Sequence, residues 1–422
     1  MTSVMVASGE KKRDCDSRAK DNYLQISLLY LLFLPLPIID SLNGMMNGGT
    51  NDGILSLGMV YRLIILAYCC VVLAQGIIPK RFLVLAVSIL LFVILPHSFD
   101  LISGSFLSLT VKSLLPIICI ETFIKTSYYD YRVHSRLDWL VKCWSFLFPL
   151  AILIPFVLGI GFQTYGEGTT GYKGFFYAQN DLCFVLSVLF FFTCGKLFRR
   201  LTFFNVLQAI LLGFCIVLLG MKSGYILMLV SILYWIMRAE MTTIRRLVTI
   251  LMICLVFLTA MPLISEAMSS VVDRWMYFSN VSSSFLDFFS SGRLERIPIA
   301  FEYCNASEVN PAWFLFGTGM RYGESLAPFG LIEMDPFDLF FQFGLPGVLL
   351  IIGYYLSFLF LKLPDGKGHY RMALAMAFVL SVAAGHVLNS ALSAMIFAVL
   401  CGLAWTTHSE RVISYEEGEN AI

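Results

Sequence analysis

Charge is scarce in this 422-residue chain: charged residues make up 14%, against 58% hydrophobic and 15% aromatic. That balance excludes an ordinary soluble globular domain. A formal net charge of +1 gives no reason to expect a nucleic-acid partner. Histidine is scarcer still: the five are scattered, and no spacing of Cys and His matches a metal site. The first 22 residues mix both charge signs and lack a signal-peptide pattern, so the first apolar span is expected to be retained. There is no convincing internal repeat and no separate soluble domain. Pairs of apolar runs share no motif that would mark the inverted halves of a transporter.

What the chain does have is long apolar runs, with a mean hydropathy of +0.80. A bilayer core about 30 Å thick asks for roughly 20 apolar residues per helix. Such runs predict an all-α polytopic membrane protein with twelve spans, near 23–39, 54–78, 82–96, 107–125, 139–161, 175–195, 203–221, 223–237, 247–263, 337–361, 372–388 and 392–407. The last two divide one nearly unbroken run that barely accommodates two short helices. Pro35, Pro37, Pro116, Pro149 and Pro155 lie in or near spans, where a membrane helix tolerates proline better than a soluble one does.

Cations set the orientation, because cytoplasmic loops accumulate Lys and Arg. With the N-terminus inside, 21 of the 29 cations fall on the inner side, from Lys11, Lys12 and Arg13 to Arg371 and Arg411. Arg62 and Lys112 fall within spans. Only Lys173, Lys222, Arg274, Arg293, Arg296 and Arg321 are left outside. The domain reading is a cytoplasmic tail over 1–22, a membrane domain over 23–407 with a long outer loop at 265–336, and a second cytoplasmic tail over 408–422. Ten of the eleven cysteines then lie in spans or inside, and Cys304 alone cannot support an intramolecular disulfide framework outside.

Polar groups held in apolar runs come next. A charge at a helix centre costs roughly 2.5–3.5 kcal/mol on insertion scales, so Arg62 and Lys112 are expected to have partners and to be structural. His386 and Asn389 read as interhelical hydrogen-bonding groups. Lys222, in Gly220-Met221-Lys222-Ser223-Gly224, stands at an outer turn where it would meet an anionic head group or simply snorkel. Asn180 and Asp181 open the sixth span, where capping competes with a substrate role.

The long outer loop is where chemistry is expected. Ser291 to Phe301 places Leu294, Ile297 and Phe301 at helical spacing, which predicts a short amphipathic helix with Arg293 and Arg296 on neighbouring faces. Two guanidinium groups so placed suit a diphosphate, or alternatively pair with Glu295 and Glu302. Phe316-Gly317-Thr318-Gly319 gives a glycine-permitted turn before Arg321. Ile332-Glu333-Met334-Asp335-Pro336-Phe337-Asp338 brings three carboxylates to the entrance of the tenth span, followed by Gly344-Leu345-Pro346-Gly347. Each carboxylate has a base or a helix-capping reading.

In order, the Lys-Ser-Gly turn, the Ser-Gly-Arg helix, the Phe-Gly-x-Gly turn and the acidic motif leading into Gly-Leu-x-Gly resemble the superfamily of O-antigen ligases and Wzy-type polysaccharide polymerases. The resemblance covers roughly Phe175 to Leu361. It implies a GT-C-like glycosyltransferase in the bacterial inner membrane, both termini cytoplasmic, acting on undecaprenyl-diphosphate-linked glycans at the periplasmic face without a metal or other cofactor. Membrane lipids, a chain-length regulator and a flippase are the implied partners. Ligases of this superfamily usually carry a His-Asn or similar pair before the Gly-x-x-Gly helix. Here Glu333-Met334-Asp335 stands in its place, which looks more like the polymerases and means that a histidine base cannot be carried over. The implied roles are Arg293 and Lys222 on the donor diphosphate, Glu333 or Asp335 as base, and Arg296, Arg321, Asn180 and Asp338 on phosphate or sugar. A ligase acting on lipid A-core and a lipid-linked oligosaccharide flippase are the alternatives.

Overall fold

The computed structural model describes residues 27–48, 56–75, 80–97, 104–164, 171–238, 276, 280, 290, 292–306, 312–327, 330–383 and 385–419. The fold is mostly helical. Before the long loop at 265–336 come α1 (Ser27–Met46), α2 (Leu57–Ala74), α3 (Lys80–His97), α4 (Gly104–Ser127), α5 (Val133–Val157), α6 (Gln179–Arg199), α7 (Phe203–Leu219) and α8 (Lys222–Arg238). Within and after it come α9 (Arg296–Asn305), α10 (Trp313–Phe316), α11 (Asp335–Leu359), α12 (His369–Ala383) and α13 (Ser393–Glu419). Six of these, α1, α2, α3, α5, α6 and α11, are long and apolar enough to cross a membrane. The expected span at 247–263, Arg274 and most of the loop before Ser290 lie outside the described residues.

Local chemistry sets several of the boundaries. The Ser56 side chain accepts the Met59 N–H and caps α2, and Thr202 does the same for α7 through Asn205. Gly220, at φ 71°, ends α7 in the left-handed conformation that glycine adopts without penalty. Between α5 and α6 a small antiparallel ribbon pairs β1 (Phe162–Gln163) with β2 (Tyr172–Gly174). The Thr164 hydroxyl then donates to the Leu219 carbonyl at the end of α7.

Helix α6 is the centre of the bundle, with every residue from Asp181 to Gly195 buried. A helix enclosed on all sides needs no polar face, and its phenylalanines pack on neighbours all round. Apolar side chains gain little by leaving lipid for protein, so association depends on fitted packing and on hydrogen bonds. Gly195 supplies the fit, because a Cβ there would lie 2.4 Å from the Trp235 ring of α8. The Trp235 Nε1–H supplies the hydrogen bond, to the Phe191 carbonyl at 2.7 Å.

The long run 372–407 was expected to hold two short helices meeting almost end to end. Instead α12 stops at Ala383 and α13 starts at Ser393, with an irregular connection between them. The described residues from Ala300 to Met334 form, with Phe341, a separate apolar cluster of Ala300, Cys304, Trp313, Tyr322, Leu326, Ile332, Met334 and Phe341, hereafter the cap. Phe341 of α11 is held face to face between Trp313 (5.9 Å) and Tyr322 (5.4 Å). Helix α11 breaks at Gly344 (φ 72°, ψ −179°). Its first half lies between the cap and the bundle, with Phe341 in the cap and Leu339 and Phe343 in the bundle core, and its second half packs in the bundle.

Candidate functional site

Non-helical backbone among apolar helices must find hydrogen-bond partners inside the protein. The connection from Gly385 to Leu392 is held, through its backbone and its own polar side chains, by buried polar side chains of four helices. Asp335, at the start of α11 and fully buried, accepts the Val387 and Leu388 N–H groups on Oδ2, both at 2.7 Å, and the Ser381 hydroxyl at 2.8 Å. Asp181 of α6 accepts the Ser390 hydroxyl. Asn389 accepts from Ser113 of α4 at 2.8 Å and donates to Gln342 of α11 at 2.7 Å. Arg62 of α2, ion-paired to Asp40 of α1 at 2.8 Å, donates to the Ala391 carbonyl at 3.0 Å. Arg62, one of the two span charges that looked costly in the sequence, is thus a support of this connection.

His386 lies in the same connection. Its Nδ1 is 3.6 Å from Asp335 Oδ1 and 4.0 Å from Asp338 Oδ2. Asp181 is near enough to interact electrostatically with both His386 and Asp335. Asp335 therefore holds the connection with two hydrogen bonds, holds the end of α12 with a third, and faces an imidazole. Asp335→Asn keeps an acceptor oxygen but gives up the charge that strengthens those bonds, for an expected loss of about 1–2 kcal/mol. Thermal denaturation in detergent measures it, and an unchanged midpoint would show that the carboxylate is not needed as an anchor.

Asp338 anchors the cap instead. Oδ1 accepts the Tyr322 hydroxyl at 2.7 Å and the Ile332 N–H at 2.9 Å, while Oδ2 accepts the Met334 N–H at 3.0 Å. The turn after α10 crosses the break in α11 backbone to backbone: Thr318 N–H donates to the Phe341 carbonyl at 2.7 Å and Gly319 N–H to the Gln342 carbonyl at 3.1 Å. The contact is close enough that a Cβ on Gly317 would lie 2.2 Å from the Gln342 carbonyl oxygen. One on Gly344 would lie 2.3 Å from that of Leu315. The two glycine motifs of the sequence are therefore the two halves of one crossing.

Beside this crossing, Arg293 and Arg296 converge on Glu333. Arg293 places Nε and Nη2 each 3.0 Å from Glu333 Oε2, and Arg296 Nη1 lies 3.8 Å from the same oxygen. Arg293 is steadied by a hydrogen bond to the Ser290 carbonyl, and Arg296 by the Leu331 carbonyl at 3.0 Å. Burial pulls the Arg296 pKa below its ordinary value, and the Glu333 charge opposes that shift. The two arginine side chains are 12% and 14% exposed and Glu333 is 31% exposed, so the carboxylate is the most open member of the three.

The helix expected from Ser291 begins only at Arg296. Gly292, at φ 77°, and a turn through Leu294 and Glu295 precede it, so Arg293 stands on the turn and Arg296 in the first turn of α9. The two still meet, because the turn folds Arg293 back over Glu333. Leu294, Ile297 and Phe301 pack against the cap, where an amphipathic helix of this spacing was expected to lie along the membrane-water boundary.

The remaining expected site residues fall around this centre. Arg321 is exposed at the start of a 3-10 turn and near Tyr303. Asn180, half-buried at the start of α6, packs against Gly385, where an added Cβ would come within 2.7 Å of its Nδ2. Lys222 is half-buried at the start of α8, beside Ser223, whose hydroxyl meets the Cys183 thiol at 3.4 Å. That contact puts Lys222 at the Asp181 end of the bundle. Sequence reasoning gave no functional weight to His386, Tyr322 or Gln342. The signal available was a cluster of polar residues, His386, Asn389 and Ser390, in an otherwise apolar run.

A diphosphate could be received where the two guanidinium groups converge, and the exposed carboxylate beside them could take up a proton. No protein-family model matches this chain, and no curated protein is found to be similar to it.

Proposed function

We propose that this protein is a Wzy-type polymerase of undecaprenyl-diphosphate-linked repeat units, working at the periplasmic face of the bacterial inner membrane. The observation that carries the proposal is the convergence of Arg293 and Arg296 on a single anionic oxygen, at an open edge of the cap. Arginine forks match phosphate oxygens in paired, charge-assisted hydrogen bonds. The order of motifs shared with the polymerase superfamily points the same way, with the twelve-span, GT-C-like architecture and cytoplasmic termini that this implies.

In the reaction, a sugar hydroxyl at the non-reducing end of an incoming lipid-linked unit attacks the anomeric carbon that carries the donor's diphosphate. The new glycosidic C–O bond forms as the bond to the diphosphate oxygen breaks, and the lipid diphosphate leaves with that electron pair. Arg293 and Arg296 stabilise the charge that develops on it, which is electrostatic catalysis by preorganised donors. Glu333 accepts the hydroxyl proton. Asp335 and Asp338 are both fully buried and committed to backbone N–H groups, so accessibility favours Glu333 as the base. Lys222, Asn180 and Arg321 have supporting roles on phosphate or sugar.

The test is incubation of purified, lipid-reconstituted protein with undecaprenyl-diphosphate-linked repeat units. A ladder of multiples is expected. No ladder from folded protein would move the assignment to a ligase if added lipid A-core then becomes glycosylated, and to a transporter if it does not. Topology is tested separately. Ser283→Cys, outside the described residues, in a background lacking native thiols, is expected to react with an impermeant reagent applied from the periplasm. Labelling only after the inner membrane is permeabilised would reverse the orientation.

A further inference from the structure

We infer that Glu333 is a built-in occupant of the diphosphate cradle, which a ligand must displace and which thereby keeps weaker anions out. The inference rests on the proposed role of Arg293 and Arg296. One carboxylate oxygen, Oε2, faces Nε and Nη2 of Arg293 and Nη1 of Arg296, which is the position a phosphate oxygen would take. The carboxylate is also the most exposed of the three side chains, so a ligand arriving from solvent meets it before the guanidinium groups.

The backbone at Glu333 is built to hold this arrangement. Glu333 has φ 65°, the only positive φ of a non-glycine residue among the described residues, and outliers of this kind concentrate at ligand clamps and switches. The residues on both sides are fixed: the Ile332 and Met334 N–H groups both donate to Asp338, and the Leu331 and Ile332 carbonyls both accept from Arg296. The Glu333 side chain can therefore swing away by rotation about its own bonds while the cap stays in place.

Displacement raises the dissociation constant of every anion by the same factor, since only the fraction of molecules with the cradle open can bind. A diphosphate, with more charge and more oxygens than a phosphodiester, engages both arginines and overcomes that factor. The phosphodiester head groups that surround a membrane protein at high local concentration do not. Displacement also frees the Glu333 carboxylate beside the bound donor, where the reaction needs a base. The base is thus released by the arrival of the substrate.

Farnesyl diphosphate is a soluble short-chain probe for this step. Its binding to the full-length protein is measured in zwitterionic phosphatidylcholine nanodiscs for the wild type, Glu333→Gln, Glu333→Gly and Arg293→Ala. Glu333→Gly removes the side chain and relieves the positive φ, which guards against misfolding in the glutamine variant. Both Glu333 variants are expected to bind about tenfold more tightly than the wild type. Replacing part of the lipid with anionic phosphatidylglycerol is expected to weaken the variants more than the wild type. Unchanged or weaker binding in both Glu333 variants, with binding lost in Arg293→Ala, would overturn the inference and leave the cradle standing. Full binding in Arg293→Ala would remove the cradle itself. Equal weakening of wild type and variants by the anionic lipid would overturn the exclusion of phosphodiesters.

Discussion

Gly344→Ala is expected to open the crossing that ties the turn after α10 to α11. At φ 72° and ψ −179° the residue occupies a conformation essentially restricted to glycine, which costs an L-residue about 1–3 kcal/mol. The added Cβ would also sit 2.3 Å from the Leu315 carbonyl oxygen, an atom of backbone that cannot rotate aside. Relieving that collision means separating the turn after α10 from α11, at the expense of the Thr318 and Gly319 hydrogen bonds. Together these predict a loss of about 3 kcal/mol or more. Gly317→Ala should behave alike, since its Cβ would strike the Gln342 carbonyl from the other side. Gly353→Ala is the control: nothing lies within 4 Å of a Cβ there, and alanine favours a helix interior by up to about 1 kcal/mol. Thermal denaturation of the three variants in one detergent checks the prediction. A Gly344→Ala protein as stable as the wild type would mean that the crossing is not formed.

Arg293→Ala is expected to have the largest effect on turnover. Removing one preorganised donor from a developing anion typically costs about 10²–10³ in rate, and Arg293 supplies two nitrogens to the cradle. Protein abundance should not change, because its carboxylate partner is about a third exposed and pairs of that kind contribute at most about 1 kcal/mol. Arg293→Lys should recover only part of the rate, since an ammonium is a point charge without the planar fork. The measurement is the initial rate of polymer formation per folded molecule. Near-normal chain lengths in Arg293→Ala would remove it from the site.

Much of the helical frame was legible because apolar runs of membrane length announce themselves by composition alone. The 265–336 segment stood out as the place to look for a site for the converse reason, being a long stretch where the apolar runs stop. Pairings made at long range were not legible. Asp335 reads as a cap or a base from its neighbours Met334 and Pro336. Its hydrogen-bonding partners are instead two N–H groups at Val387 and Leu388, about fifty residues on, together with Ser381. His386 and Asn389 looked like ordinary helix residues because the run around them is apolar on both sides. The polar residues His386, Asn389 and Ser390 mark a division of the run, but do not show that the chain leaves the helix as early as Ala383 and resumes it at Ser393. Arg293 was placed one turn too early in a helix because Leu294, Ile297 and Phe301 keep their spacing while Gly292 delays the start. The pairing of both arginines with Glu333 has no local signature either, since Arg293 lies forty positions before it and Arg296 only slightly fewer.

The most direct measurement is the product ladder from reconstituted wild type and Arg293→Ala, at equal protein abundance and with lipid-linked repeat units as the only substrate. The account predicts a ladder of multiples from the wild type and unreacted single units from the variant. A matching ladder from both proteins would contradict it.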